Sequence, residues 1–317
     1  MDSEIKKDIP RAIAIIRKLN EAFFTKTLFG FKGLPEEILP RGMDRGSPEH
    51  LLYITFTSSI AYLRREEDLW KAATKTYEDK DTRYVINPEK VLSKPPSEVK
   101  SALNKYNYVV NVVRQEPFVI GKIIPQNKLA SRENDFEIWL NLAKVLKKFD
   151  SSIEKLFEAH NYDALEVLKF FTETPYSNSF PEYRKKTKVI IWLAKMERNA
   201  KFSIRNLHSL PLASGSHIIR STFRTGAISG KINSFQTDID DLIINFWQDV
   251  AAEGKGVLSI YPLQFQVYLW VLSRFGCSPR GDAEVCSQFE NCPVNEFCTS
   301  GTITILDKYI TIDTKQF

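Results

Sequence analysis

The first 276 residues of this 317-residue chain contain no cysteine, and all four cysteines lie within the 22 residues that begin at Cys277. Long apolar runs are also absent, because the longest candidates, Val189–Ala194 and Val267–Leu272, are far below the roughly 18 residues of a membrane span. Glycine is scarce, at 13 residues, and no glycine-rich loop follows a strand-like segment, which argues against a nucleotide-binding fold. The N-terminus shows no small-residue cleavage site, so we expect no signal peptide. These absences predict a soluble protein, cytoplasmic and nucleoid-associated in a prokaryote or nuclear in a eukaryote.

The four cysteines are spaced C-x8-C-x5-C-x5-C. Four thiolates on a short irregular loop suit either a tetrahedral zinc ion or a [4Fe–4S] cluster. Zinc sites usually pair their thiols as C-x2-4-C, and no pair here is that close, so the spacing favours the bulkier cluster and leaves zinc as the alternative. Two disulfides would suit a small secreted domain, but this chain has 317 residues, which argues against them. Four unrelated free thiols would not be expected to cluster in one loop. We therefore predict one [4Fe–4S] cluster on Cys277, Cys286, Cys292 and Cys298.

Positive charge is concentrated in one stretch of the chain. Between Arg184 and Lys231 there are eleven Lys or Arg residues and a single acid, Glu197, although the whole chain carries a net charge of only +5. A local excess of cations on an otherwise acidic protein is typical of a surface that binds a polyanion. The alternative is that these residues only solvate helix faces, but a solvated face normally alternates the two signs.

Helical periodicity dominates the pattern of apolar residues. We predict helices over residues 9–28, 50–65, 68–79, 96–106, 136–149, 152–160, 163–172, 184–199, 216–225, 238–253 and 262–275. Residues 109–134 contain prolines and a mixture of polar and apolar residues, so we expect a long connection there. The tail TITILDKYITI alternates apolar and polar residues around Asp307-Lys308, as a short hairpin would. The sequence therefore predicts an all-α protein of about ten helices with a terminal hairpin.

Two stretches of the basic segment carry a resemblance to a known family. YRKKTKVIIW, residues 183–192, resembles the hairpin-to-helix junction V-G-R-K-T-A-x-V-V-L of the helix-hairpin-helix DNA glycosylases, the endonuclease III superfamily, with Lys186 and Thr187 on its K-T pair. LASGSHIIRSTFRTG, residues 212–226, resembles the family segment V-D-T-H-V-x-R-V-x-x-R, with His217, Arg220 and Arg224 in register. A four-cysteine loop ending in C-P-x4-C then follows, in the family's order. The resemblance covers about residues 160–300.

The resemblance implies a two-lobed helical fold with a C-terminal [4Fe–4S] loop. The regions would be an N-terminal helical part over residues 1–134, a glycosylase-like part over 135–276, the cluster loop over 277–298 and a tail over 299–317. It also implies a DNA N-glycosylase or lyase of base excision repair that binds double-stranded, damaged DNA. The residues expected to contact nucleic acid are Arg184, Lys185, Thr187, Lys188, Arg220 and Arg224. The two arginines have the alternative of bracing the cysteine loop, and His217 is expected to hold structure at the start of its helix.

The chemistry of such a reaction defines what a site must supply. Cleaving an N-glycosidic bond develops positive charge on the sugar, so a nearby carboxylate stabilises the transition state. A lysine can instead attack the anomeric carbon and form a Schiff base, and Lys186 is the residue that we expect to do so. The base must also leave the stack, which requires a pocket with aromatic walls, for which Trp192, Trp247 and Trp270 are candidates.

The chain departs from the family pattern at three points. Gly215 stands where the family has its catalytic aspartate, two residues before the histidine, and Arg184 replaces a hairpin glycine. The family's cysteine spacing is C-x6-C-x2-C-x5-C, of which only the last interval agrees with this chain. A displaced acid could come from Asp238, Asp240 or Asp241, although acids in the first turn of a helix also cap it. The sequence therefore predicts a repair-like DNA-binding enzyme, with two alternatives: an inactive nucleic-acid-binding or scaffold protein on the same fold, and a helical interaction protein with a zinc loop.

Overall fold

The computed structural model describes residues 5–25, 28–29, 33–61, 66–106, 133–173, 175–182, 184–277, 286, 288–306 and 309–316. By its contacts the chain forms two units. The first unit comprises Met1–Lys32 together with Leu210–Phe317, and the second unit comprises Gly33–Ser209. The predicted domain boundary at residue 134 falls inside the second unit. The first helix packs with the C-terminal part of the chain and therefore belongs to the first unit. Most of the predicted connection over residues 109–134 lies outside the described residues.

Twelve α-helices and four β-strands lie in the described part of the chain. In chain order they are β1 (Lys6–Lys7), α1 (Ile9–Phe24), α2 (Pro48–Ser59), α3 (Glu66–Glu78), α4 (Pro88–Ser93), α5 (Pro96–Leu103), α6 (Glu133–Lys147), α7 (Ile153–Ala159), α8 (Ala164–Glu173), α9 (Lys185–Asn199), α10 (Ser216–Arg224), β2 (Ile228–Phe235), α11 (Gln236–Glu253), α12 (Pro262–Val271), β3 (Thr299–Leu306) and β4 (Tyr309–Gln316). One π-turn, Leu272–Gly276, extends α12.

Several helices begin where the sequence supplies both a cap and a proline. Asp8 caps α1 by accepting a 3.0 Å hydrogen bond from the backbone N–H of Arg11, and Pro10 occupies its first turn. Ser47 caps α2 in the same way, directly before Pro48. A proline suits this position because its fixed φ matches the helix and its missing N–H would have had no partner in the helix. Each predicted helix is present, although α2 ends at Ser59, well before residue 65, and α4 was not predicted.

The prediction of an all-α protein is corrected by a four-stranded antiparallel sheet of order β1-β2-β4-β3. The predicted hairpin is present as β3 and β4, and its turn at residues 307–308 lies outside the described residues. The strand β2 was missed because its partner β4 lies far away in sequence, with Ile232 opposite Ile312, and neither a tight turn nor a neighbouring strand marks it locally. The protein is therefore mostly helical with a small sheet.

The core of the first unit joins helices to this sheet. Buried apolar side chains come from α1, α10, α11, α12 and the two inner strands, β2 and β4. They include Ile15, Leu19, Ile219, Phe223, Phe246, Trp247, Leu269, Ile310 and Ile312. Trp247 is fully buried and donates a 3.0 Å hydrogen bond from Nε1 to Thr222 Oγ1, so it belongs to the core and not to a pocket. Burying such a large ring is worth a few kcal/mol, on the order of 3.

The second unit contains a buried network of charges beside its aromatic core. Lys195 is 3% exposed, and its Nζ lies 3.4 Å from Glu36 and 2.7 Å from Glu66. Arg198 lies 2.6 Å from the same Glu36. Burial by itself raises the pKa of the Glu36 carboxyl, but the charges of Lys195 and Arg198 outweigh it and the pKa is lowered. Two basic residues of the predicted polyanion surface are therefore turned inward and paired.

Trp192, fully buried in the second unit, donates a 2.9 Å hydrogen bond from Nε1 to Thr55 Oγ1. Like Trp247, it is a core residue. Among the described residues, no helix combines the length and the apolar character that crossing a membrane requires.

The hairpin generates a test of the fold at Gly301. This glycine has φ +110°, and a Cβ built on it would lie 1.9 Å from the carbonyl oxygen of Asp313 on the paired strand. Gly301→Ala should therefore cost about 3 kcal/mol of unfolding free energy, from backbone strain and from the clash together. Urea unfolding of both proteins measures this difference.

The matched control is Gly256→Ala in the same unit. Gly256 also has a positive φ, +102°, but a Cβ there meets nothing within 4 Å. We expect this variant to lose only about 1 kcal/mol, from the backbone conformation alone. Equal losses in the two variants would mean that the close approach of β3 to β4 does not constrain the hairpin.

Candidate functional site

The four cysteines lie between the end of α12 and the start of β3, in the first unit. Cys277 follows the π-turn directly, and its backbone N–H donates a 2.8 Å hydrogen bond to Leu272 O. Cys286 Sγ lies 3.5 Å from the carbonyl oxygen of Gly276, and Cys298 is followed at once by β3. Residues 278–285 and 287 lie outside the described residues. All four cysteines are half-buried free thiols, so none is committed to a disulfide.

Electrostatics link the four sulfur atoms to one another. Burial raises the pKa of the Cys277 thiol, and negative charge on the other three cysteines raises it further. Burial likewise raises the pKa of Cys292 to about 12; a hydrogen bond from the Val294 backbone opposes this rise, and Cys298 and Cys286 add to it. Negative charge on one of these thiols thus disfavours ionisation of Cys277 and Cys292. A bound cation reverses this preference, because a thiol that coordinates a metal gives up its proton.

Three arginines act on the same loop. Arg224 is 8% exposed and donates a 2.8 Å hydrogen bond from Nη1 to Gly301 O. Arg11 donates 2.8 Å hydrogen bonds from Nε to Thr225 O and from Nη2 to Phe297 O. The pKa of Cys298, raised by burial and by Cys286, is pulled back by Arg224 and Arg11, and Arg220 acts in the same way on Cys277.

Arg224 thus contacts the strand that follows the cysteine loop, and the charges of Arg224 and Arg220 act to lower the pKa values of Cys298 and Cys277, as bracing of the loop, the second of their two predicted roles, would require. The contact of Arg11 with this loop was not predicted from the sequence. It lies far from the loop along the chain, and no pattern around it marks a partner at Phe297.

A single metal ion finds no ready set of ligands here. Across the described ranges, no group of three or more His, Cys, Asp or Glu side chains is arranged to hold a metal ion. The donor set itself is nevertheless coherent, since the four free thiols are coupled to one another and cations stand beside them. Both the predicted cluster and its zinc alternative therefore remain proposals.

The start of α10 gathers polar groups from three elements. Gly215 is the N-cap of this helix, with φ −175° and ψ 177°, an extended conformation that any residue can adopt. Directly before it, the buried Ser214 donates a 2.7 Å hydrogen bond from Oγ to Asp240 Oδ1 on α11. Ala213 N donates a 3.3 Å hydrogen bond to Gln266 Oε1 on α12. We call Ala213–His217 with Asp240 and Gln266 the α10 entrance.

His217 joins the α10 entrance to the end of α12. Its Nδ1 lies 3.1 Å from Ser273 Oγ, and its ring meets Trp270 edge to face with centroids 6.1 Å apart. These contacts suit the predicted structural role. Trp270 is half-buried, unlike Trp192 and Trp247, so it alone of the three candidate tryptophans presents part of its ring to solvent.

The remaining predicted contact residues lie at the start of α9, in the second unit. Lys185 forms an ion pair with Glu182, and its side chain is only 10% exposed. Lys188 donates a 3.2 Å hydrogen bond from Nζ to Ala61 O. Lys186 is exposed and Thr187 is half-buried. Of the four side chains, Lys186 is thus the most open to a ligand.

The members of the basic segment belong to both units, and several of them are buried or paired with acids. Lys195 and Arg198 pair with buried acids, Arg224 is buried against the hairpin, and Lys231 lies 3.4 Å from Asp313. The exposed members are fewer than the sequence count suggests.

Arg184 gives a test of the turn before α9. It is the N-cap residue and has φ 58° and ψ 37°, the left-handed region that costs a non-glycine residue about 1 kcal/mol or more. The departure from glycine at this position has therefore kept a conformation that suits glycine. Arg184→Gly should gain about 1 kcal/mol of unfolding free energy relative to Arg184→Ala, which loses the same side chain and keeps the strain. Thermal or urea unfolding of the two variants measures this, and equal stability would contradict a strained turn.

Comparison with known proteins adds no relative: no protein-family model matches the chain, and no curated protein is significantly similar to it. The site must therefore be understood from its own residues, which are four coupled thiols with three arginines beside them, and a carboxylate held at the start of α10.

Proposed function

We propose that the protein binds DNA and cleaves N-glycosidic bonds, as a divergent enzyme of the base-excision type, and that its cysteines hold a [4Fe–4S] cluster. One observation carries the proposal. Arg224 of helix α10, which also bears the family-like His217 and Arg220, donates a hydrogen bond to Gly301 O on the strand that begins directly after Cys298. Two sequence features that the resemblance places in one order are thus also in contact through the start of β3.

The residues present fit such a cluster in three respects. Cys277, Cys286, Cys292 and Cys298 offer four thiols, which is the ligand set of a [4Fe–4S] cluster. All four lie on the segment between α12 and β3, where negative charge on one thiol raises the pKa of others, an effect that a shared metal centre would offset. Arginines beside them offset the negative charge that four thiolates bring. When bound, the cluster would supply a four-point cross-link, and a redox centre, between the end of α12 and the hairpin.

Metal content is the first prediction. Protein purified without oxygen should contain about four iron and four sulfide per chain. Cys292→Ser should lose iron and lower the unfolding free energy, because metal-binding energy is also folding energy. Iron and sulfide analysis with urea unfolding measures both effects.

The matched control is Glu290→Gln, an exposed acid in the same loop, which should retain the iron. One zinc ion per chain and no iron would favour the interaction protein with a zinc loop. Metal-free protein of undiminished stability would contradict both assignments.

Binding of DNA is the second prediction. The exposed Lys186 stands in the first turn of α9, where the partial positive charge of the helix N-terminus adds to its own, an arrangement that suits a phosphate. Lys186→Glu should weaken duplex binding about tenfold at low salt and reduce the slope of log K against log salt by about 1. Titrations at several salt concentrations measure both quantities.

Lys71→Glu is the control, because it reverses an exposed lysine of α3 in the same unit, outside the basic segment. Its affinity and slope should match those of the wild type. Duplex binding that does not weaken as salt rises would contradict the proposal.

The covalent route through Lys186 is the third prediction. The neutral lysine Nζ would attack the anomeric carbon, the bond to the base would break, and its electron pair would leave with the base, which takes up one proton of the amine. The bond from the anomeric carbon to the ring oxygen would then break, the ring oxygen would take up the second proton of the amine, and an imine would form. The imine that remains can be reduced by borohydride to a stable adduct. Wild-type protein should be trapped on a duplex with a damaged or abasic site, and Lys186→Gln should not, whereas Lys71→Gln should be trapped as well as wild type. Undiminished trapping in Lys186→Gln would exclude this lysine, and no reaction on any substrate would favour the binding-only alternative.

A further inference from the structure

The three aspartates near the start of α11 have different surroundings. Asp238 stands in the first turn of the helix and accepts a 2.6 Å hydrogen bond from Ser234 Oγ. Asp241 is exposed. Asp240 is half-buried, lies beyond the first turn, and accepts the hydrogen bond of Ser214. Asp238 therefore stands where a carboxylate complements the helix dipole, whereas Asp240 stands beyond the first turn and is bound to the segment before α10.

The partner of Asp240 fixes where its carboxylate lies. Ser214 is 2% exposed and immediately precedes Gly215, so the Asp240 carboxylate is held beside the backbone position that lacks a side chain. The same short segment is bound from the other side by Gln266 of α12. A buried serine can hold a carboxylate in one orientation, since a hydrogen bond to a charged group is shorter and stronger than one between neutral groups.

Other groups around the α10 entrance suit a sugar with an extruded base. Trp270 of α12 is partly exposed and packs edge to face against His217. An aromatic ring offers a surface on which a base can stack. The first turn of α10 contributes backbone N–H groups, to which a phosphate or the leaving base can bind. A carboxylate, an aromatic ring and backbone donors thus all border the segment Ala213–His217.

We propose that Asp240 is the catalytic carboxylate of this chain, supplied from α11 in place of the side chain that Gly215 lacks; this inference rests on the proposed function. As the bond from the anomeric carbon to the base nitrogen breaks, its electron pair leaves with the base. The positive charge that develops on the sugar faces the Asp240 carboxylate. In this hydrolytic route water, in place of the Lys186 Nζ, adds its oxygen to the anomeric carbon, and the proton that it releases balances the one taken up by the base. Ser214 acts as a positioning residue through its hydrogen bond to Asp240.

Binding of a charged mimic tests this assignment without requiring turnover. Two duplexes are compared that differ at one nucleotide, which is a cationic pyrrolidine in one and a neutral tetrahydrofuran in the other. Wild-type protein should bind the pyrrolidine duplex at least about tenfold more tightly, because the cation resembles the transition state. Asp240→Asn should abolish this preference and leave the affinity for the tetrahydrofuran duplex unchanged. Asp238→Asn and Asp241→Asn, the matched controls, should keep the preference.

The outcomes separate this inference from the proposed function. A preference that survives Asp240→Asn, no preference in the wild type, or no binding of the pyrrolidine duplex would each overturn the role of Asp240. A preference that depends on Asp240 without release of any base would support the site and contradict the proposed reaction. Where the wild type does release a base, Asp240→Asn should lower the rate about 100-fold.

A second variant distinguishes chemistry from structure. Gly215 has an extended backbone, so Gly215→Asp is compatible with its conformation. In the Asp240→Asn background, Gly215→Asp should restore the preference for the cationic duplex at least in part, whereas Gly215→Asn should not. Equal behaviour of the two double variants would show that the carboxylate charge is not what the site requires.

Discussion

The first unit depends on how α10 satisfies the backbone groups at its end. The last carbonyl groups of a helix have no partner within it, and here they are buried. Thr299 donates from Oγ1 to Phe223 O at 2.9 Å, and Arg11 donates from Nε to Thr225 O at 2.8 Å. Arg224 in turn donates to Gly301 O. These hydrogen bonds fix β3 and α1 against the helix, and with β3 they fix Cys298, the residue directly before it.

The same helix therefore relates the two candidate sites to each other. At its start, Ser214 and His217 hold groups from α11 and α12, and at its end the arginines and Thr299 hold the cysteine loop and the hairpin. A change of metal state at the loop would act on α10 through its C-terminal contacts, and α10 is buried along most of its length. A four-point cross-link at the loop would stabilise the helix whose other end carries the carboxylate site.

The local sequence pattern was sufficient to predict the helices and the hairpin, because their periodicity is visible in neighbouring residues, as in the alternation of TITILDKYITI. It was not enough for β2, whose register with β4 depends on residues about eighty positions away, nor for Arg11, whose acceptors Thr225 and Phe297 lie further still. Charge was misleading in a similar way. Lys195 and Arg198 count as cations of a basic segment, yet their partners Glu36 and Glu66 come from distant parts of the second unit. A run of like charges shows which residues need partners, but only the fold shows where those partners are.

The glycine at position 215 is easier to understand once Asp240 is placed. Its backbone is extended, so no conformational demand selects glycine there. A carboxylate at 215 would directly follow Ser214, whose one hydroxyl proton is already donated to Asp240. Two like charges at close range disfavour each other, and one of them would be driven toward its neutral form, in which it stabilises a cation poorly. Under the proposal that Asp240 supplies the acid, a second carboxylate near it would be a liability, and the absence of a side chain at 215 is compatible with a site whose acid has moved to another helix.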